Sequence, residues 1–125
     1  MMRGLGIDMV DVGRMERAVA MWGERFLKRI FTEAEIELCL KRQRPASCLA
    51  LRFAAKEAFA KALGIGLQQG LRWRDIEVSN DELGKPVLHL YDQAHRLLKT
   101  VGARKVWLSL SDETNLAVAV VVLEE

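Results

Sequence analysis

Met15, Ala18, Val19 and Trp22 recur at i, i+3, i+4 and i+7, a spacing that predicts an amphipathic helix with these side chains on its buried face. Gly23 interrupts the pattern, and Phe26, Leu27, Ile30 and Phe31 continue an apolar face beyond it. Ahead of this helix, the apolar run within Gly4–Gly13 predicts a strand whose segment around Asp8 is largely buried. Thr32-Glu-Ala-Glu35 is a capping-box sequence, in which the Thr32 hydroxyl and the Glu35 carboxylate each satisfy a free amide. It opens a predicted helix to about Gln43, with Pro45 marking the break. A longer, alanine-rich helix is predicted from about Ser47 to Leu63, with Gly64 as its C-terminal cap.

The second half alternates differently. Gly64, Gly66 and Gly70 mark a loop whose apolar members anchor it. Trp73–Ser79 predicts a strand with Trp73, Ile76 and Val78 turned to the core, and Pro86–Leu90 returns after the turn Asn80–Lys85. Tyr91–Val101 predicts a helix, with Ala94, Leu97, Leu98 and Val101 on one side. Lys105–Ser111 and Leu116–Leu123 are the last two strands, and the nearly unbroken apolarity of the second places it centrally in a sheet. The order is that of an α+β protein, with a single compact domain over residues 1–125.

Composition changes this picture little. Charged residues make up 29% and the formal charge is +2, too small to argue for nucleic acid, and no aromatic-basic platform for bases is evident. The distribution is more telling: Arg14, Arg17, Arg25, Lys28, Arg29, Lys41, Arg42 and Arg44 crowd one window, although five glutamates share it. Such a surface attracts an acidic partner, and a solvated helix face accounts for the same residues. No apolar run approaches the length that spans a bilayer, and no secretory signal is evident. Cys39 and Cys48 therefore predict two free thiols in a reduced, cytoplasmic protein. With His89 and His95 they match no zinc spacing.

The candidate chemistry lies in two places. On the long helix, Arg52 precedes Lys56 by one turn and Glu57 precedes Lys61 by one turn. One carboxylate among three cations suits a metal ion together with a phosphorylated ligand. A solvated surface pair worth only about 0.2–0.5 kcal/mol fits the same spacing. Far away in sequence, Asp8 sits in the apolar first strand, where an ionised carboxylate is costly unless paired or bound to a metal. A strand-end Asp8 that caps a turn or pairs with an arginine is the alternative. Asp11, which alternates with Val10 and Val12, is expected to face solvent.

Taken in order, Gly6-Ile-Asp8 followed by Arg14, the helix Phe53-Ala-Ala-Lys-Glu-Ala-Phe-Ala-Lys61-Ala-Leu-Gly64, Trp73–Val78, Gly84-Lys-Pro86 and Ser109-Leu-Ser111 resemble the holo-acyl-carrier-protein synthases. These are the short-chain branch of the 4′-phosphopantetheinyl transferases, and the resemblance covers essentially the whole chain. It implies an antiparallel-rich sheet packed against a long central helix. It also implies transfer of 4′-phosphopantetheine from coenzyme A to a serine of an apo-acyl carrier protein, releasing adenosine 3′,5′-bisphosphate, in service of fatty acid biosynthesis. By the same resemblance Asp8 and Glu57 would be ligands of Mg2+, and Lys61 the lysine that contacts phosphate. Glu57, or a water beside it, would take the serine proton. Arg52, Lys56, the amides around Gly64, and Ser109 and Ser111 are the implied coenzyme A-side candidates, and Arg14 contacts the carrier. Arg17, Met21, Arg25, Phe26 and Lys28 are further carrier candidates. The expected assembly is a homotrimer with an active site at each subunit boundary.

One position departs from the pattern. Where such enzymes commonly carry a histidine after Ser-Leu-Ser, this chain has Asp112, which cannot donate as an imidazolium does. Either another cation compensates, or nucleotide affinity is reduced, or Asp112 points elsewhere. A catalytically impaired carrier-binding paralogue, and a transferase dedicated to polyketide or peptide-synthetase carriers, are the alternatives to the fatty-acid reading.

Overall fold

In the computed structural model, which describes residues 1–66 and 68–125, one long helix organises the molecule. Strand β1 (Met2–Asp11) leads into α1 (Val12–Ile30), α2 (Glu33–Leu40) and the 19-residue α3 (Pro45–Leu63). A 3-10 turn at Trp73–Asp75 precedes the hairpin β2 (Ile76–Asn80) and β3 (Pro86–Leu90). Helix α4 (Asp92–Thr100) and the strands β4 (Lys105–Glu113) and β5 (Leu116–Glu124) complete the chain. β5 lies between β1 and β4, antiparallel to both, so the most apolar strand is central as its composition requires.

Helix α3 packs against β1 and β5 through small side chains: Ala54, Ala55, Ala58 and Ala60 are fully buried, with Phe59 filling the space between layers. The closest approach is at Gly4 and Gly6 of β1. A Cβ on Gly6 would overlap the carbonyl oxygen of Ala58, and one on Gly4 would overlap that of Ala62. Only hydrogen at these two inward-facing positions lets the strand backbone lie on the helix. By strand alternation, Asp8 is the next inward position, so the same contact carries its carboxylate onto α3.

β1 is apolar on both faces, but only one is covered. Leu5, Ile7 and Met9 are more than half exposed, and Trp107 of β4 lies beside them on the same open side. The expectation that the segment around Asp8 is largely buried is thus corrected: Asp8 faces inward while Ile7 and Met9 face out. Trp22 is corrected in the same way, being 63% exposed on α1. The helix turns at Gly23 (φ 63°, ψ −145°), so the face defined before the glycine does not continue into the face buried by Leu27 and Ile30.

Other boundaries shift for local reasons. Pro45 does not merely end the preceding helix; it occupies the first turn of α3, where its missing N–H costs nothing. Trp73–Asp75 is a 3-10 turn rather than strand, because the Asp75 carboxylate accepts the Arg72 N–H and closes it. Of the glycine loop's apolar members, Ile65 packs against the core, and Leu67 lies outside the described residues. Asp11 is exposed as expected, and its carboxylate caps α1 by accepting from Arg14 N–H at 3.2 Å. Among the described residues no helix is long and apolar enough to cross a membrane.

The free thiols do not exist in this structure: Cys39 and Cys48 form a disulfide, with their Cα atoms 5.4 Å apart. The helix break at Pro45 folds α3 back beside α2, which brings the end of one and the start of the other together. The compartment inference drawn from reduced thiols therefore has no support from these cysteines. Replacing Gly6 by alanine is expected to destabilise the fold by about 1–3 kcal/mol through overpacking against α3. Urea denaturation measures this.

Candidate functional site

The two distant acids share one cleft. Asp8 and Glu57 both line a cavity of about 320 Å³, together with Met9, Val10, Asp11, Arg14, Met15, Ala18, Phe26 and Phe53. Lys61 Nζ donates to Asp8 Oδ1 at 2.9 Å and to the Ile7 carbonyl at 3.1 Å, so the lysine of α3 pins the strand beside the helix. The Asp8 side chain is 15% exposed, whereas that of Lys61 is 53% exposed. Burial pushes the Glu57 carboxyl above the usual range, the nearby Asp8 charge adds to the rise, and Lys61 only partly opposes both. Lys61 is in turn raised by its hydrogen bond and charge attraction to Asp8.

This donor set suits one kind of cation. Among the described residues no group of three or more His, Cys, Asp or Glu side chains converges on one point. Two carboxylates in one cleft instead fit the habit of Mg2+, which takes one or two carboxylates and fills its octahedron with waters and substrate phosphates. Burial is the larger cause of the raised Glu57 pKa and the Asp8 charge adds to it, and a cation bound between the two acids would oppose both.

The other basic residues of α3 do different work. Lys56 is fully buried, and its Nζ donates to Glu35 Oε1 (2.7 Å), the Ile30 carbonyl (2.9 Å) and the Trp73 carbonyl (3.1 Å). All three donors are consumed, so the expectation that Lys56 contacts nucleotide phosphates is corrected. Glu35 completes the hub: it accepts from Thr32 N–H at 3.0 Å through the capping box and from Val78 N–H at 2.9 Å. One buried ion pair thereby joins the end of α1, the start of α2, α3, the 3-10 turn and β2. Gly64 caps the helix as expected, with a φ of 82°, and its own N–H is taken by the Lys61 carbonyl at 2.9 Å. Ser109 and Ser111 lie on the open face of the sheet, in register with Val120 and Val118, and line neither the acidic cleft nor the one described next.

A second cleft, of about 450 Å³, opens at the start of α3 and is lined by Arg42, Arg44, Ser47, Cys48, Arg52, Asn80, Gly84, Pro86, Leu110 and Asp112, with Leu51. Arg52 forms its wall, donating to Asn80 Oδ1 at 3.1 Å and to the Cys48 carbonyl, while its Nε is buried without a partner. Arg44 is held by the Thr114 carbonyl and by Asn115 Oδ1. Asp112 accepts from Ser47 Oγ at 3.0 Å, so its charge is tied to the first turn of α3. Arg42 and Arg44 were legible in the sequence only as part of a basic window, and Ser47 only as the approximate start of the long helix. The signal that identifies them is their position, two arginines immediately ahead of a helix N-terminus that itself favours anions.

With this geometry in place, comparison with known proteins identifies the class. The model of the 4′-phosphopantetheinyl transferase superfamily matches residues 4–121, and the chain belongs to that family. It is 50% identical over 124 residues to the holo-[acyl-carrier-protein] synthase of Syntrophus aciditrophicus, covering 99% of this chain and 97% of that one. Its fold superimposes on the crystal structure of the Neisseria meningitidis holo-[acyl-carrier-protein] synthase with a TM-score of 0.90, at 40% identity and full coverage of both chains. The Bacillus anthracis holo-(acyl-carrier-protein) synthase in complex with coenzyme A (3′,5′-ADP) matches at a TM-score of 0.82 and 38% identity, covering 99% and 97% of the two chains.

The hub and the acidic cleft separate cleanly in a mutational test. Lys56→Ala strands the Glu35 charge in the core and is expected to cost about 3–5 kcal/mol, whereas the isosteric Lys56→Met with Glu35→Gln costs much less. Thermal unfolding checks the first statement. Coenzyme A affinity of the folded double variant, measured by calorimetry, stays near that of the parent protein because Lys56 touches no ligand.

Proposed function

We propose that the protein is a holo-[acyl-carrier-protein] synthase: it transfers 4′-phosphopantetheine from coenzyme A to a serine hydroxyl of apo-acyl carrier protein and releases adenosine 3′,5′-bisphosphate. The observation that carries this reading is the meeting of Asp8 and Glu57 in one cleft, with Lys61 bonded to Asp8 beside it. It agrees with the names of the relatives and with the coenzyme A complex of the Bacillus anthracis protein.

The serine oxygen attacks the phosphorus that bears the pantetheine arm, a new P–O bond forms, and the pyrophosphate bridge breaks with its electron pair left on adenosine bisphosphate. Lys61 turns its ammonium from Asp8 toward the bridge and stabilises the negative charge that develops there. Glu57, or a water held beside it, receives the serine proton. Asp8 and Glu57 would hold Mg2+, which when bound neutralises diphosphate charge. Arg42, Arg44 and Arg52 bind the phosphates of the nucleotide half in the second cleft. Asp112 is compatible with that role, because its bond to Ser47 draws its charge to one side of a cleft lined by three arginines. This removes the main encouragement for an impaired paralogue.

The carrier docks on α1. Met21 is 72% exposed, and Trp22 lines a groove of about 670 Å³ with Ala18, Arg25, Phe26 and Arg29. An apolar groove rimmed by arginines suits an acidic amphipathic helix, and Arg14 continues the basic rim to the acidic cleft. Arg17 and Lys28 extend the same charged face. The open sheet face of Leu5, Ile7, Met9 and Trp107 supports a homotrimer, since so much contiguous apolar surface on a monomer calls for a covering partner. Ser109 and Ser111 lie on that face and would meet the neighbouring subunit. The service is fatty acid biosynthesis in the cytoplasm.

The reading is tested by the mass of an apo-carrier incubated with coenzyme A, Mg2+ and this protein, which rises by one phosphopantetheine. Asp8→Asn and Glu57→Gln are each expected to slow that gain by about 10²-fold or more; near-normal turnover in either would remove that residue from the site. Because Glu57 keeps its proton at pH values where an ordinary glutamate has lost it, the Mg2+ concentration needed for half-maximal rate should climb as pH falls. A Mg2+ titration repeated across a pH series checks this, and a flat requirement contradicts it. Ile7→Glu places a charge on the open face without touching the core, and light scattering should show the trimer falling to monomers.

A further inference from the structure

We propose that Cys39 and Cys48 are a reversible redox couple that sets the affinity of the arginine-lined cleft for phosphate groups. The inference rests on the reading of that cleft as the nucleotide site. Three observations converge on it. The bridge closes the segment between α2 and α3, and that segment carries Arg42 and Arg44. The two sulfurs are unequally placed: Cys39 is fully enclosed, while Cys48 lines the cleft itself. Arg52 Nη1 lies 3.2 Å from Cys48 Sγ, a cation against the sulfur that borders the opening.

This arrangement defines the exchange. A small dithiol in the cleft attacks Cys48 Sγ as its thiolate; the disulfide breaks, and Cys39 leaves with the electron pair and takes a proton. The second thiol of the reductant then displaces Cys48. Two electrons and two protons pass to the protein, and the reductant becomes a cyclic disulfide. Oxidation by a small disulfide runs the same steps backward, with Cys48 as the attacking thiolate. The Arg52 guanidinium stabilises that thiolate, so Cys48 is the reactive member of the pair.

The consequence for the cleft follows from how its arginines are held. Arg44 is anchored from outside the bridged segment, by the Thr114 carbonyl and Asn115 Oδ1. Arg42 makes no side-chain hydrogen bond or ion pair among the described residues, so its position depends on the closed segment. Opening the bridge releases Arg42 and gives Arg52 a competing anion in Cys48, and both changes weaken phosphate binding. Preorganisation is lost without loss of the fold.

The test uses the intact protein equilibrated in dithiothreitol buffers of graded redox poise, with alkylation and mass spectrometry reporting the bridged fraction. Adenosine 3′,5′-bisphosphate, which has no thiol of its own, is titrated into the oxidised and reduced forms by calorimetry. Its Kd is expected to rise by about threefold or more on reduction. Arg42→Ala should weaken binding in the oxidised form and show a smaller further rise in Kd on reduction, the remainder being the Cys48 thiolate at Arg52. Equal affinity in the two forms of the parent protein would overturn the proposal, as would a bridge that resists dithiothreitol while the protein stays folded. Absence of binding in both forms would overturn the nucleotide reading and the switch with it, and is distinguishable from equal, measurable binding.

Discussion

The contact on which the molecule depends is the approach of β1 to α3 over Gly4 and Gly6. Without side chains at these positions, the strand backbone rests on the carbonyls of Ala58 and Ala62, closer than any other residue permits. Everything chemical follows from the alternation of the strand. The next inward residue is Asp8, which meets Lys61 at 2.9 Å and adds to the rise that burial imposes on the pKa of Glu57. The alanines of α3 serve the same end, since a bulkier helix would hold the sheet away and separate the acids.

Helix α3 also sorts its charges by depth. Lys56 is consumed in the core by Glu35, Ile30 and Trp73, which locks the rotation of the helix about its own axis. That rotation decides where its neighbour Glu57 points. One turn earlier Arg52 forms the wall of the arginine cleft, and one turn later Lys61 opens to the acidic cleft. A buried ion pair is weak evidence for stability, but a hub joining five elements is a strong constraint on geometry. The two clefts flank the same helix, which is the arrangement a substrate with a nucleotide at one end and a reactive arm at the other requires.

Much of this was legible along the chain. The capping box at Thr32, the central placement of the apolar last strand and the glycine cap rest on local rules that the fold does not override, whereas the pairing of Asp8 with the Glu57 helix was implied only by the family resemblance. What could not be read depends on contacts between distant segments. Lys56 and Lys61 look alike in sequence, and only the position of α2 makes one a core residue and the other a surface cation. Trp22 follows the helical period, yet the turn at Gly23 leaves it outside. Ile7 and Met9 look buried because they are apolar, yet strand alternation sets them on the open face of the sheet while Asp8 turns inward. The cysteines, nine residues apart, give no sign of pairing until Pro45 turns the chain back.

The central claim is that Asp8 and Glu57 are two halves of one cation site. Crystals of the protein grown with coenzyme A and Mn2+ in place of Mg2+ test it directly through the anomalous signal of manganese. The account predicts a single strong peak bonded to one oxygen from each carboxylate and to the diphosphate, with Lys61 released from Asp8. A manganese ion bound by the diphosphate alone, or by only one of the two acids, would contradict it.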